Sequence, residues 1–124
     1  AKLISQMFIM DFYTLDDKVA KTDVGGADFV HSEERADFLE QAMDTVYKYV
    51  ESNLYGDRKQ ELPTVTEVVV DQIETVEFEY LDQTDTNAYQ VSVSWDYKKD
   101  LGYETEATLI VVHEGNKLSI AEMD

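Results

Sequence analysis

Asp11 lies close to Tyr13 in an apolar stretch, and a carboxyl group facing a phenol is a pair that can move protons. Such catalysis needs the acid inside an apolar cavity, with a shifted pKa and a hydrogen-bond donor opposite. Tyr13, Tyr47, Tyr49, Trp95 and Tyr97 are the aromatic residues that could wall such a cavity. The simpler expectation is an aromatic core whose Tyr hydroxyls reach the surface. Asp82, Asp85 and Asn87 offer oxygen ligands to a hard cation such as Ca²⁺. Their spacing is not that of an EF-hand, and no bidentate Glu stands at the required offset, so they read as a solvated hairpin turn. There is no Cys, which excludes disulfides, Cys-ligated zinc and thiol nucleophiles. The 2 His, His31 and His113, are too few for a His-based metal site. His31 reads as part of a helix start and His113 as a strand-end residue. G-x-S-x-G, P-loop, H-E-x-x-H and G-x-G-x-x-G patterns are all absent. The Gly25-Gly26 pair reads as a flexible linker rather than a phosphate nest, because the acids beside it oppose an anion. No catalytic residue, cofactor or metal is expected.

Charge and aromatic content point instead to contact. The 124 residues carry 27 Asp and Glu against 10 Lys and Arg, a formal net charge of -17. That charge repels phosphate backbones and anionic membrane surfaces, so direct nucleic-acid binding is excluded as an expectation. Glu77 and Glu79 share one strand face and Glu104 and Glu106 share another. Stacked like charges are tolerated where they face water or a basic partner. The chain has 8 Tyr, more than so small a domain can bury completely. Exposed Tyr is a residue type that dominates protein interfaces. Tyr47, Tyr49 and Tyr55, along the second helix, are the candidate interface residues, with Tyr80, Tyr89, Tyr97 and Tyr103 on the strands.

The elements that must position these residues are legible from periodicity. Leu3, Ile4, Met7, Phe8, Met10, Leu15 and Val19 predict a first helix ending near Asp17 or Val19, with Ser5, Gln6, Asp11 and Asp16 exposed. A loop from Lys21 to Asp28 follows. Ser32 stands where an N-cap is wanted, with Glu33 and Glu34 in the first turn. Ala36, Leu39, Ala42, Met43, Val46, Tyr47, Val50 and Leu54 then predict a second helix closed by Gly56. Pro63 opens a β regime. Val65 to Val70 and Ile73 to Leu81 read as strand, and Asp82 to Asn87 as a turn. Tyr89, Val91, Val93, Trp95 and Tyr97 alternate with polar residues in the sharpest strand. Tyr103 to His113 is another strand, and Lys117 to Met123 closes the sheet after a turn at Glu114-Gly115-Asn116. Helices followed by a meander mean an α+β domain spanning residues 1–124, with N-terminal helices packed on a curved antiparallel sheet of four to five strands. The longest apolar run, Met7 to Met10, is too short to cross a bilayer.

This order resembles the nuclear transport factor 2-like fold. Within that fold it is similar to the soluble domain of membrane-anchored scaffold subunits of type IV secretion systems, closest in character to the TraM-like and TcpC-like Gram-positive conjugation proteins. The resemblance rests on Ile4 to Tyr13 in the first helix, Ala42 to Val50 in the second, the strands Val68 to Tyr80 and Tyr89 to Tyr97, and the closing Ala107 to Val112. It implies a non-enzymatic assembly domain outside the cytoplasmic membrane, self-associating as a dimer or trimer and contacting other subunits of a DNA-transfer complex. It also implies a membrane contact made only by a segment outside this sequence. Ala1 in place of Met fits a domain excised from a longer anchored protein. The alternative is a small-molecule-binding or isomerase- or dehydratase-like enzyme of the same fold. A third reading is a lipoprotein-like or phage-encoded module for ligand capture.

Overall fold

Period-two hydrophobicity in the second half becomes an antiparallel meander. The computed structural model describes residues 1–80 and 82–124, and its strands are β1 (Val65–Tyr80), β2 (Gln83–Tyr97), β3 (Glu106–Glu114) and β4 (Lys117–Met123). The sheet has 4 strands in chain order, each antiparallel to its neighbour. Leu81, expected in the first long strand, lies outside the described residues. The turn expected over Asp82 to Asn87 is shorter, because Thr84 and Asp85 already pair with Glu79 and Phe78. The strand expected from Tyr103 starts only at Glu106.

Register sorts the faces. Val68 pairs with Trp95, Val70 with Val93 and Ile73 with Val91, while Leu109 and Val111 stand opposite Val91 and Tyr89. Val91, Val93, Trp95, Leu109 and Val111 are buried and form the sheet side of the core. Irregularities between Val65 and Glu67, Val70 and Gln72, and Val76 and Phe78 interrupt the β1 ladder. Bulges of this kind bend a strand and increase its twist.

Two α-helices, α1 (Lys2–Tyr13) and α2 (Arg35–Asp44), precede the sheet, with a short 3₁₀ turn at Ala27–Phe29. α1 lies against β1, β2 and β4. Its buried residues are Ser5, Phe8, Ile9, Phe12 and Tyr13. The predicted face is rotated in part: Phe8 and Leu15 are buried as expected, but Leu3, Met7 and Met10 are exposed, and Ser5 turns inward and donates to the Ala1 carbonyl. Aromatic packing decides the rotation. Phe8 stacks on Phe12 with centroids 5.5 Å apart, and Tyr13 lies 4.8 Å from Trp95. Rings bury more area per residue than the Leu and Met stripe does.

Both helices end sooner than their periodicity predicts. α1 stops where Thr14 turns extended; its Oγ1 accepts the Val65 N–H, and Leu15 and Asp16 donate to the Pro63 carbonyl. Pairing with the start of β1 replaces further helix. α2 ends at Asp44, although the apolar stripe runs on to Leu54. Thr45 donates its hydroxyl back to the Gln41 carbonyl, and the Tyr47 N–H reaches the Ala42 carbonyl. Thr45, Val46 and Tyr47 are weak helix formers, so tertiary contacts set the path. Ser32 is not the N-cap. That position is Glu34, and the Ser32 hydroxyl donates instead to Glu114 Oε2 at 2.5 Å. Among the described residues, no helix is long and apolar enough to cross a membrane.

Candidate functional site

The three candidate tyrosines go to different environments. Tyr47 is fully buried; its hydroxyl donates to the Phe12 carbonyl at 2.6 Å and accepts the Gly25 N–H at 3.0 Å. Burial pushes its pKa far above the usual phenol value, only partly offset by the Gly25 N–H. Tyr47 presents no surface to a partner and drops out of the candidate interface as a contact residue. The reason is the early end of α2, which turns its ring toward α1. Tyr49 and Tyr55 are 76% and 87% exposed, and Leu54 beside them is 66% exposed.

These exposed side chains sit on an ordered backbone. The Arg58 guanidinium donates to the Lys18, Asp16 and Glu51 carbonyls at 2.7, 3.0 and 3.0 Å. The Arg58 N–H meets Asn53 Oδ1, and the Asn53 N–H meets the Val19 carbonyl at 2.6 Å. Gln60 donates to the Tyr49 carbonyl and accepts the Glu51 N–H. Val19, joined to the loop through Asn53, is itself exposed. The second-helix stripe placed Leu54 on a buried face, whereas it stands in water.

A second feature lies between α2 and the sheet. Phe38 leans on Phe8 and Phe12 at 5.7 and 5.4 Å, so α2 rests on α1 through this ring. The space left beside it is a cavity of about 350 Å³. Phe8, Phe12, Phe38, Phe78, Ile120 and Met123 supply apolar walls, and Glu34, Asp37 and Glu122 supply carboxylates. Asp37 and Glu122 are exposed and Glu34 is half-buried, so these acids stand toward the mouth. The predicted stripe through Ala36, Leu39 and Met43 would turn Phe38 outward, and no periodicity could bring Phe78 to the same place.

The other candidate pairs are occupied. The Asp11 carboxylate accepts from Lys18 Nζ at 3.1 Å and from the Gly26 N–H at 2.7 Å, whereas Tyr13 packs on Trp95. Burial pushes the Tyr13 hydroxyl up to about 12, with Tyr97 and Glu104 adding to the rise. The candidate proton-transfer pair is therefore not assembled. Gly25 and Gly26 are buried against α1 rather than forming a slack linker. Asp85 Oδ2 accepts the His113 N–H at 2.7 Å and lies 2.9 Å from His113 Nδ1, so it ties β2 to β3. Burial opposes ionisation there, but bonds from His113 and Asn87 hold the Asp85 carboxyl below its usual value. Asp82 is exposed, and no cluster able to hold a metal occurs among the described residues. Glu104 and Glu106 line a separate open groove of about 590 Å³ with Asp71 and Asp124. Glu79 pairs with Thr84 and Glu106 with Ser94, far along β2, so the glutamate pairs do not form one face.

Fold and site together define a small α+β domain with an aromatic-walled cavity and an outward-facing apolar loop. No family model matches the chain, and searches of the curated proteins and of the solved structures gave no match either.

Proposed function

We propose that the chain is a non-enzymatic assembly domain, joining copies of itself and partner subunits through the loop that carries Tyr49, Leu54 and Tyr55. One observation carries this reading: large apolar side chains are held in water on a backbone fastened by Arg58, Asn53 and Gln60. A loop ordered in advance loses little entropy on docking, and Tyr is a frequent interface anchor. The resemblance in element order supplies the setting, an anchored extracytoplasmic scaffold of a conjugative type IV secretion complex. The finer form of the fold in this reading is the nuclear transport factor 2-like cone, which the β1 bulges and the seating of α1 on the sheet favour. A proton-transfer enzyme would want a carboxyl group inside the apolar cavity. Glu34, Asp37 and Glu122 stand toward its mouth instead.

Sedimentation equilibrium over a range of concentrations tests the proposal. The native chain should form a dimer or trimer, and association should tighten with added salt, because each copy carries -17. Tyr49→Ala combined with Tyr55→Ala should return the mass to the monomer with circular dichroism and melting temperature unchanged. An unchanged mass would remove this loop from the interface. A native chain that stays monomeric at every concentration would remove self-association.

A further inference from the structure

The cavity under α2 has walls and a mouth of opposite chemistry. Four of its lining residues are Phe: Phe8, Phe12, Phe38 and Phe78. Its carboxylates are Glu34, Asp37 and Glu122, and among the described residues no Lys or Arg lines it. Arg35, the nearest cation in sequence, donates instead to the Ala27 and Val30 carbonyls at 3.0 Å each. A cavity of about 350 Å³ with aromatic walls and a polar mouth is within the size range that holds small organic ligands. Aromatic faces attract cations, and acids around a low-dielectric opening focus a field that favours positive charge.

We propose that this cavity binds a small amphiphilic monocation, with an aryl or alkyl body among the Phe rings and an ammonium group at the Glu34, Asp37 and Glu122 carboxylates. The site is separate from the Tyr49 and Tyr55 loop and does not depend on the role proposed for it. Charge complementarity decides the class: an anionic amphiphile of equal size meets the same walls but a repelling mouth. The apolar walls also set this ligand apart from a bare cation, which would gain nothing from them.

Calorimetric titration of the native chain with 4-phenylbutylamine, and with 4-phenylbutanoate as the matched anion, reads the inference. The amine should bind saturably and at least about tenfold more tightly than the anion. Asp37→Asn combined with Glu122→Gln changes exposed side chains only, and should weaken amine binding about fivefold or more while leaving the fold intact. Val46→Phe, which projects a ring into the cavity, should abolish binding while circular dichroism stays native. Absence of saturable amine binding, equal affinity for amine and anion, or amine binding indifferent to Val46→Phe would each overturn the proposal. The last result would mean that the amine only collects on an acidic surface.

Discussion

Residues 14–34 and 45–64 are the two long connections of the domain, and they are built to opposite ends. In the first, Leu15, Lys18, Gly25, Gly26, Val30 and His31 are buried. Lys18 Nζ is enclosed by Asp11, Asp17 and the Thr14 carbonyl at the end of α1. In the second, Tyr49, Leu54 and Tyr55 face water, and the order comes from polar side chains grasping carbonyls. The first connection spends its contacts on the core. The second also sends Tyr47, Val50, Leu62 and Pro63 into the core, but between them it holds Tyr49, Leu54 and Tyr55 out in water on a hydrogen-bonded backbone. Connections of the second kind are the ones that carry binding, because rigidity and exposure coincide there.

The sharpest way to break this contrast is to add one methyl group to each segment. A Cβ on Gly25 would stand 2.2 Å from the Asp11 carbonyl oxygen and 2.8 Å from Lys18 Cε. Gly25→Ala should therefore cost about 3 kcal/mol or more, because a backbone atom cannot yield as a side chain can. A Cβ on Gly56, in the second segment, meets nothing within 4 Å, and only its φ of +75° opposes substitution. Gly56→Ala should cost about 1 kcal/mol. Urea unfolding measures both. Equal losses would mean that the two segments are equally packed and would end the comparison.

The difference between the segments was only half legible in the sequence. The strand alternation of Tyr89 to Tyr97 could be read directly, because a period of two responds to one buried face. The helices misled. Of the predicted stripe, Phe8 and Leu15 are buried and Ile4 half-buried, but Leu3, Met7 and Met10 are displaced by Ile9, Phe12 and Tyr13, and the Phe12 and Tyr13 rings meet Phe8 and Trp95. The stripe from Ala36 to Leu54 is continuous, yet the chain leaves the helix at Thr45 so that Tyr47 can reach Phe12 and Gly25. That choice depends on partners distant in sequence, which periodicity does not encode. Tyr abundance pointed to exposed Tyr but did not separate Tyr49 and Tyr55 from Tyr47, which is buried. The support of their loop by Arg58 was not legible, because one guanidinium reaching Asp16 and Lys18 is a tertiary fact.

Arg58 is where the second segment can be loosened without touching its apolar groups. Arg58→Ala removes the donors to the Asp16, Lys18 and Glu51 carbonyls. Net hydrogen bonds of this kind are worth about 1 kcal/mol each, less where water can replace them, so a loss of about 1–2 kcal/mol is expected. Hydrogen exchange of the amides from 49 to 56 should speed up more than that of the sheet. Association should weaken although Tyr49 and Tyr55 remain. If exchange is unchanged, the loop is ordered by something other than this clamp.

The smallest effect concerns the fastening at the far end of the first segment. Glu114 accepts the Ser32 hydroxyl at 2.5 Å, the Ser119 hydroxyl at 2.7 Å and the Ser32 N–H at 3.3 Å. The Ser32 hydroxyl, aided by Ser119, the Ser32 N–H and the nearby His31, lowers the Glu114 pKa from 4.5 to about 2, with burial opposing. A carboxyl group lowered on folding stabilises the native state above its unfolded value and loses that contribution as pH falls through its folded one. The Glu114 contribution is therefore complete above about 4.5 and fades toward 2. Glu114→Gln keeps an acceptor but not the charge. The difference in urea midpoint between native and variant chains should be largest near neutral pH and shrink across that window. The other acids titrate alike in both chains and cancel in the difference. A gap that stays constant down to pH 2 would mean that the carboxylate charge contributes nothing to holding Ser32 against the β3–β4 turn.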